Sequence, residues 1–130
     1  MKGIEYLEQA VKGLPDIDLR IVSDAQGKEL ESVWQWCEVL VLPTLSENFG
    51  RVIAEALERG KRVITTDGAP AWGDNLSRVE VERGREDGRV GGGEILFGYN
   101  GRLIYLKGYR DGSDEEKVGL LKRAIERICE

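Results

Sequence analysis

The sequence predicts an α/β fold of the Rossmann-like kind, with a mainly parallel sheet flanked by helices. Three observations lead to this prediction. Strand-like and helical stretches alternate through residues 1–66, the strand-like stretches are short and apolar, and polar or glycine-rich loops follow them. Such alternation is typical of a parallel sheet covered by helices. The 130 residues suit a single domain, 1–130, with one core.

The elements of this alternating region follow from the spacing of apolar residues. Three stretches carry one apolar stripe at helical spacing: KGIEYLEQAVKGLP (2–15), KELESVWQWC (28–37) and FGRVIAEALERG (49–60). Three short runs between them are predicted as strands: IDLRIV (17–22), VLVL (39–42) and KRVITT (61–66). The run VLVL is continuously apolar, which is typical of a strand that is buried on both faces of a sheet.

The rest of the chain is less regular. Residues 67–101 contain nine glycines and are predicted as a long loop region, with a hairpin turned at Tyr99-Asn100-Gly101. The stretch GRLIYLKGYR that begins at Gly101 is expected to join the sheet as an edge strand. The last helix is predicted from a capping box, Ser113 with Glu116, followed by an apolar stripe.

Composition excludes several classes of function. The net charge of −5 lacks the basic excess of a nucleic-acid-binding protein. The absence of histidine and the two cysteines, Cys37 and Cys129, argue against a metal site and favour buried free thiols. No apolar run reaches the ~18 residues of a membrane span, and no signal peptide is recognised, so a cytoplasmic location is expected.

A ligand site is expected where the strands end, because parallel sheets bind ligands outside the carboxyl ends of their strands. The loops SDAQG, PTLSEN and DGAPAWGDN follow the three predicted strands. Trp72 in the last of them could stack on a nucleotide base or line an acceptor site. It could equally be a half-buried side chain that covers a loop.

The segment SENFGRVIAE contains two carboxylates, Glu47 and Glu55, eight residues apart. Along a helix this separation is about 12 Å. That is too far for the paired carboxylates of glycoside hydrolases, which lie ~5–9.5 Å apart, but it suits the two ends of one extended ligand. The backbone N–H groups of Asn48, Phe49 and Gly50 at the helix start would form an anion site.

A purely structural interpretation of this segment is also open. Ser46 or Asn48 would then be an ordinary N-cap, and Glu47 would only interact with the helix dipole. Glu55 would form an ion pair with an arginine four residues away on the same helix.

The stretch VLVLPTLSENFGRVIAEALERGKRVITTDGAP (39–70) resembles a known family. It is similar to the nucleotide-sugar-binding C-terminal half of retaining GT-B glycosyltransferases, the glycosyl transferase group 1 family. The hallmark of that family is two glutamates separated by seven residues in the context P-S-x-x-E-x-F-G-x-x-x-x-E-A. The residues in register are Pro43, Glu47, Phe49, Gly50, Glu55 and Ala56. The resemblance is good over residues 2–72 and loose over 73–130.

The resemblance implies a role for each matching residue. Glu55 would hydrogen-bond the ribose of a nucleoside diphosphate sugar, and Glu47 would face the donor sugar near its anomeric carbon. Lys2, in the family's K-G start to the first helix, would neutralise the diphosphate; the alternative is a frayed terminal lysine. Glu47 and Lys2 are thus the expected catalytic residues. The other expected donor-binding residues are Ser46, Asn48, Phe49 and Gly50.

The sequence also departs from the family pattern. It begins directly with the K-G start, without the strand and arginine that the family places ahead of it, and the segment before VWQWC is short. We expect no acceptor-binding domain within these 130 residues. The resemblance therefore implies retaining sugar transfer, without a metal or cofactor, in which a partner chain or a homodimer mate supplies the acceptor half. A non-catalytic nucleotide-sugar-binding module, an interaction scaffold and an epimerase remain alternatives.

Overall fold

A computed structural model describes residues 2–14, 16–21, 27–43, 51–69, 72–73, 77–82 and 93–128. Its helices are α1 (Lys2–Lys12), α2 (Gly27–Trp36), α3 (Arg51–Glu58) and α4 (Asp114–Ile128). Its strands are β1 (Val39–Val41), β2 (Arg62–Thr66), β3 (Ser77–Glu82), β4 (Gly93–Gly98) and β5 (Leu103–Lys107).

The five strands form one sheet in the order β1-β2-β5-β4-β3. β1 pairs with β2 in parallel, and β2 pairs with β5 in parallel. β4 is antiparallel to both β5 and β3. Four of the five strands therefore point in the same direction, and the predicted α/β class with a mainly parallel sheet is confirmed.

Helices cover both faces of the sheet, and alternate residues of each strand point to opposite faces. Ile64 and Ile104 pack against α1 and α4. Val63 and Leu103, one residue earlier in each strand, pack against α2 and α3. The two faces are called the α1/α4 face and the α2/α3 face below. Burial on both faces of the sheet explains why the sequences of these strands are continuous apolar runs.

The position of β5 differs from the prediction of an edge strand, which is wrong. β5 lies in the middle of the sheet, between β2 and β4. Leu103 and Leu106 are fully buried and Ile104 is 1% exposed. Because β5 carries apolar side chains toward both faces, a central position removes more of its surface from water than an edge position would.

The stretch 17–22, predicted as a strand, forms no ladder over its described part. Residues 17–21 form neither a helix nor a strand, and Asp16 ahead of them lies in a turn at positive φ, 66°. Ile17 and Leu19 pack against the core on the α1/α4 face. Among the described residues, no backbone hydrogen bond links this segment to another strand. Strand assignment requires such a partner, which the apolar alternation of the sequence does not supply.

Two turns position the C-terminal elements. The turn between β4 and β5 places Tyr99 and Asn100 at positive φ, 53° and 59°, and Gly101 donates its N–H to the carbonyl of Gly98 at 3.0 Å. The capping box of α4 is confirmed. Ser113 donates its N–H to Glu116 Oε1 at 2.8 Å, and Glu116 donates its N–H to Ser113 Oγ at 3.2 Å.

Candidate functional site

The parallel strands β1, β2 and β5 all end at one edge of the sheet, here called the carboxyl edge. α3 ends at the opposite edge, because Arg102, just before β5, donates from Nη1 to the carbonyl of Leu57 near the end of α3, at 3.0 Å. α3 therefore begins at the carboxyl edge, after the loop that follows β1. In parallel sheets ligands bind outside this edge, and a ligand site in the loops here stays a prediction.

The start of α1 also lies at the carboxyl edge. Tyr6 donates from its hydroxyl to Asp114 Oδ1 at 2.9 Å, and Asp114 is the first residue of α4. The rings of Tyr6 and Tyr109 meet edge to face, with centroids 6.4 Å apart. Lys2, one turn before Tyr6, is therefore at this edge; its side chain lies outside the described residues.

Asp67 ties together the loops that follow β2 and β5. Its two carboxylate oxygens accept the N–H groups of Gly108 at 2.8 Å and Arg110 at 2.7 Å. Its own N–H donates to the carbonyl of Leu106 at 3.0 Å. Hydrogen bonds of backbone N–H groups to a carboxylate are among the stronger ones in proteins. Asp67 therefore fixes the loops that follow β2 and β5 relative to each other at the carboxyl edge.

Arg110 is a cationic residue of this edge that the sequence interpretation missed. It is exposed, and its backbone is fixed by Asp67. The sequence signal was present, since Arg110 follows a strand-like run. Its place beside the loop that follows β2 depends on the order of the strands, which the sequence does not show. With β5 next to β2, the loop that carries Arg110 adjoins the loop after β2.

Glu55 lies in the second turn of α3 and is exposed. The alternative in which it pairs with Arg59 is not realised. Arg59 instead forms an ion pair with Glu31 at 3.1 Å and lies over the ring of Trp34, 5.1 Å from its centroid. Within the described part of the chain, the Glu55 carboxylate has no hydrogen-bond or ion-pair partner. It is thus available to a ligand.

The remaining predicted site residues lie outside the described residues, and their roles stay predictions. They are Ser46, Glu47, Asn48, Phe49 and Gly50. The structure describes the chain on both sides of them, up to Pro43 and again from Arg51. Their loop connects the end of β1 to the start of α3.

Trp72 packs on the α2/α3 face of the sheet and does not line the carboxyl edge. It is half-buried against the α2/α3 face and lies 5.9 Å from the ring of Tyr99, between centroids. Tyr99 belongs to the turn that precedes β5, so it lies at the edge opposite to the strand ends. A Cβ atom added at the neighbouring Gly73 would lie only 2.9 Å from the hydroxyl of Tyr105. This favours packing over base stacking at the strand ends.

Three features of the described residues bear on other kinds of site. No group of three or more metal-ligating side chains is found among them. None of the helices they form is long and apolar enough to cross a membrane. Cys37 is a free, buried thiol, and burial raises its pKa; the prediction for Cys129 falls outside the described residues.

Two buried polar side chains, Tyr109 and Lys117, lie beneath the carboxyl edge. The Lys117 ammonium donates to the carbonyl of Gly112 and lies 5.6 Å and 6.0 Å from the ring centroids of Tyr6 and Tyr109. Tyr109 is fully buried, and its hydroxyl has no hydrogen-bond partner among the residues that the structure describes. Burial raises the pKa of Tyr109 well above its ordinary value of 10.0.

We expect Tyr109→Phe to leave the free energy of unfolding at pH 8 unchanged or to raise it by about 1 kcal/mol, because it removes a buried hydroxyl that no described residue pairs with. The wild type should also lose stability as pH rises through about 10, since the unfolded tyrosine ionises before the folded one. The advantage of the variant should therefore widen with pH. Urea unfolding at pH 8 and pH 10.5 measures both effects. A variant that is clearly less stable at pH 8 would show that the hydroxyl has a partner.

Comparison with known proteins gives one match. The family model of the glycosyl transferases group 1 matches residues 2–84, more than half of the chain, from α1 through β3. No curated protein and no solved structure matches the chain. The matched residues include the loops that follow β1 and β2, together with Glu47 and Glu55.

Proposed function

Because the chain belongs to the glycosyl transferases group 1 family, we propose that it is the donor-binding half of a retaining GT-B glycosyltransferase. In this proposal a nucleoside diphosphate sugar binds along the carboxyl edge. Its sugar is transferred to an acceptor held by a second domain. Neither a metal ion nor a cofactor takes part.

The observation that carries the proposal is the position of Glu55. The family match includes the two glutamates of the hallmark, and α3 presents Glu55 to solvent near the carboxyl edge, with Arg59 engaged elsewhere. A carboxylate without a protein partner can accept hydrogen bonds from the two hydroxyls of a ribose ring. This supports assigning Glu55 to the nucleoside end of the donor.

The diphosphate end of the donor requires positive charge, although the whole chain carries −5. The starts of α1 and α3 lie at the carboxyl edge, and helix starts favour anions. We assign Lys2 and the backbone of Asn48, Phe49 and Gly50 to the diphosphate and the adjoining sugar hydroxyls. Arg110 adds a cation to the same edge. Fixed charges of this kind stabilise the leaving diphosphate as the bond to the anomeric carbon breaks.

Glu47 is assigned to the sugar end of the donor, near the anomeric carbon. Its contribution is to position the sugar ring and to favour the positive charge that develops there. Ser46 lies beside it in the same loop and is assigned to donor binding. The acceptor hydroxyl attacks from the side that the second domain faces.

The proposal is tested by thermal unfolding of the wild type with UDP, GDP and ADP and with their common sugar conjugates. A ligand present at a hundred times its dissociation constant adds about 2.7 kcal/mol of stability, which raises the melting temperature by roughly 10 °C for a domain of this size. We expect a rise of this kind with one base and not with the others. The absence of any shift with every nucleotide would contradict the proposal.

The hypothesis of a non-catalytic module is distinguished from that of an enzyme by following the fate of the donor sugar. In the absence of acceptor, a transferase can pass the sugar slowly to water, and proton NMR of the anomeric hydrogen shows the configuration of the sugar first released. Release with the configuration of the donor supports retaining transfer. Inverted sugar would contradict retention. Stabilisation without any release, with and without candidate partner domains, would favour the binding module.

A further inference from the structure

Tyr6 links the start of α1 to the start of α4. Its hydroxyl donates to Asp114 Oδ1 at 2.9 Å, and Asp114 is the first residue of α4. Tyr6 itself is half-buried and packs against the core of the α1/α4 face. A hydrogen bond to a carboxylate is stronger than one between neutral groups, and unlike an apolar contact it is directional. The second turn of α1 is therefore held at one particular point of α4.

Lys117 provides a second link between the same two helices. Its ammonium lies 5.6 Å from the ring centroid of Tyr6 and 6.0 Å from that of Tyr109, and it donates to the carbonyl of Gly112. Lys117 is only 7% exposed. Lysine is rarely buried to this extent, and the attraction between a cation and an aromatic face grows when water is excluded. The group of Tyr6, Tyr109, Asp114 and Lys117 is called the α1–α4 contact below.

The α1–α4 contact fixes the position of α1 along its own axis. The apolar residues Leu7, Ala10 and Val11 direct one face of this helix to the core. Such contacts are not directional, so they leave the axial position of the helix less well defined. A helix of 11 residues is also marginal in water on its own. The polar contacts of Tyr6 therefore fix where the first turn of α1 lies at the carboxyl edge.

The first turn of α1 includes Lys2, which is assigned above to the diphosphate of the donor. Lys2 precedes Tyr6 by four residues, so the two lie on the same face of the helix, with Lys2 about 6 Å nearer to its start. A movement of α1 at Tyr6, by rotation or by fraying of the first turn, also moves Lys2. A cation stabilises a diphosphate most when its position is fixed in advance.

We propose that Tyr6 is a positioning residue of the donor site, which acts through Asp114 and Lys117 to place Lys2 against the diphosphate. Tyr6 does not itself touch the ligand. Because it needs a nucleoside diphosphate at the carboxyl edge, this role of Tyr6 rests on the proposed function. It adds to the site a residue that lies outside the stretch 39–70, which contains both glutamates of the motif.

Two other roles of the Tyr6 hydroxyl lead to different results. If it only stabilises the fold, its loss lowers the free energy of unfolding and leaves the affinity for ligand unchanged. If it only shields the Asp114 carboxylate, its loss weakens binding by repulsion between that carboxylate and the diphosphate. Asp114→Asn distinguishes the second case, because it removes the charge and keeps an oxygen that accepts from Tyr6. In that background Tyr6→Phe would have no effect on binding by repulsion, whereas we expect it still to weaken binding.

The main test compares Tyr6→Phe with Tyr109→Phe in the whole chain. Each variant loses one hydroxyl and keeps the ring beside Lys117, but of the two hydroxyls only that of Tyr6 has a partner among the described residues. Calorimetric titration measures the affinity for UDP, GDP or ADP, whichever binds the wild type, and for the matching nucleoside. We expect Tyr6→Phe to weaken binding of the diphosphate about fivefold and that of the nucleoside less than about twofold. Tyr109→Phe should change neither.

A double-mutant cycle with Lys2 separates positioning from a purely structural role. In Lys2→Ala protein no ammonium is left to position, so a further Tyr6→Phe change should alter the affinity for the diphosphate by less than about twofold. Amide hydrogen exchange adds a measurement that needs no ligand. The N–H groups of residues 6 and 7 close the first turn of α1, and we expect them to exchange about fivefold faster in Tyr6→Phe, with little change at Val11.

Several results would overturn this role of Tyr6. They are equal affinities of Tyr6→Phe and the wild type, equal losses for the diphosphate and the nucleoside, an undiminished effect of Tyr6→Phe in Lys2→Ala protein, or unchanged exchange in the first turn of α1. Each of these, in a wild type that binds a nucleotide, contradicts the role of Tyr6 alone. A wild type that binds none of the nucleotides or their sugar conjugates would contradict the proposed function, and the role of Tyr6 with it.

Discussion

Replacing Leu106 by alanine is expected to lower the free energy of unfolding by about 3 kcal/mol, within the range of about 2–5 kcal/mol for buried leucines. Leu106 is fully buried on the α1/α4 face, in the same cluster as Ile64 and Ile95. It also accepts the N–H of Asp67 through its backbone, so its strand supports the carboxyl edge. Urea unfolding of the variant and the wild type measures the difference. Because the free energy of unfolding of whole domains is only about 5–15 kcal/mol, the loss for Leu106→Ala should be easily measured.

Lys107→Ala is the matched control, one residue further along the same strand. Lys107 is exposed, and its ammonium lies 3.9 Å from Glu94, in an ion pair whose lysine side chain is 63% exposed. Such surface pairs contribute little, so this variant should change stability by less than about 0.5 kcal/mol. A loss below about 1 kcal/mol for Leu106→Ala, or equal losses for the two variants, would contradict the full burial of Leu106 in the core.

The position of β5 shows what a sequence pattern reveals and what it does not. Apolar residues at successive positions of LIYL predict burial on both faces, as they do for VLVL. They carry no information on which strand lies alongside. The pairing of Ile64 with Ile104 joins positions forty residues apart, and such long-range choices depend on the packing of the whole chain.

Helices were easier to predict than strands for the same reason. The stripe of α1 and the capping box of α4 are local features, set by residues three and four positions apart. Residues 17–21 have the alternation of a strand, yet no described strand pairs with them. β3, at Ser77–Glu82, lies within the stretch predicted as a long loop, where surrounding glycines obscured its alternating valines.

The candidate site likewise has a local part, which the sequence shows, and a part made by distant residues, which it does not. The motif from Glu47 to Glu55 is contiguous in sequence and could be recognised there. The contribution of Asp67 could not, because its partners Gly108 and Arg110 are more than forty residues away. Their meeting depends on β5 lying next to β2. A site residue such as Arg110 is therefore visible only once the order of the strands is known.

Glu55→Ala is expected to remove most of the stabilisation that the nucleotide sugar gives. Glu55 is exposed and has no partner among the described residues, so the substitution should barely change the stability of the free protein. In the complex it would remove charge-assisted hydrogen bonds to the ribose, each worth about 1.5–3 kcal/mol. Loss of one or two such bonds weakens binding by roughly ten- to more than a hundred-fold.

The size of the thermal shift follows from this weakening. At a ligand concentration a hundred times the wild-type dissociation constant, the stabilisation of about 2.7 kcal/mol falls to about 1.4 kcal/mol for tenfold weaker binding and to about 0.4 kcal/mol for hundredfold weaker binding. Glu58→Ala, one turn further along α3 and also exposed, is the matched control and should keep the full shift. Equal shifts for both variants would exclude Glu55 from the donor site. Loss of the thermal shift in both variants would instead indicate an effect of the overall charge of α3. A contact between Glu55 and the ribose would affect only the Glu55 variant, since the two exposed carboxylates lie on the same short helix.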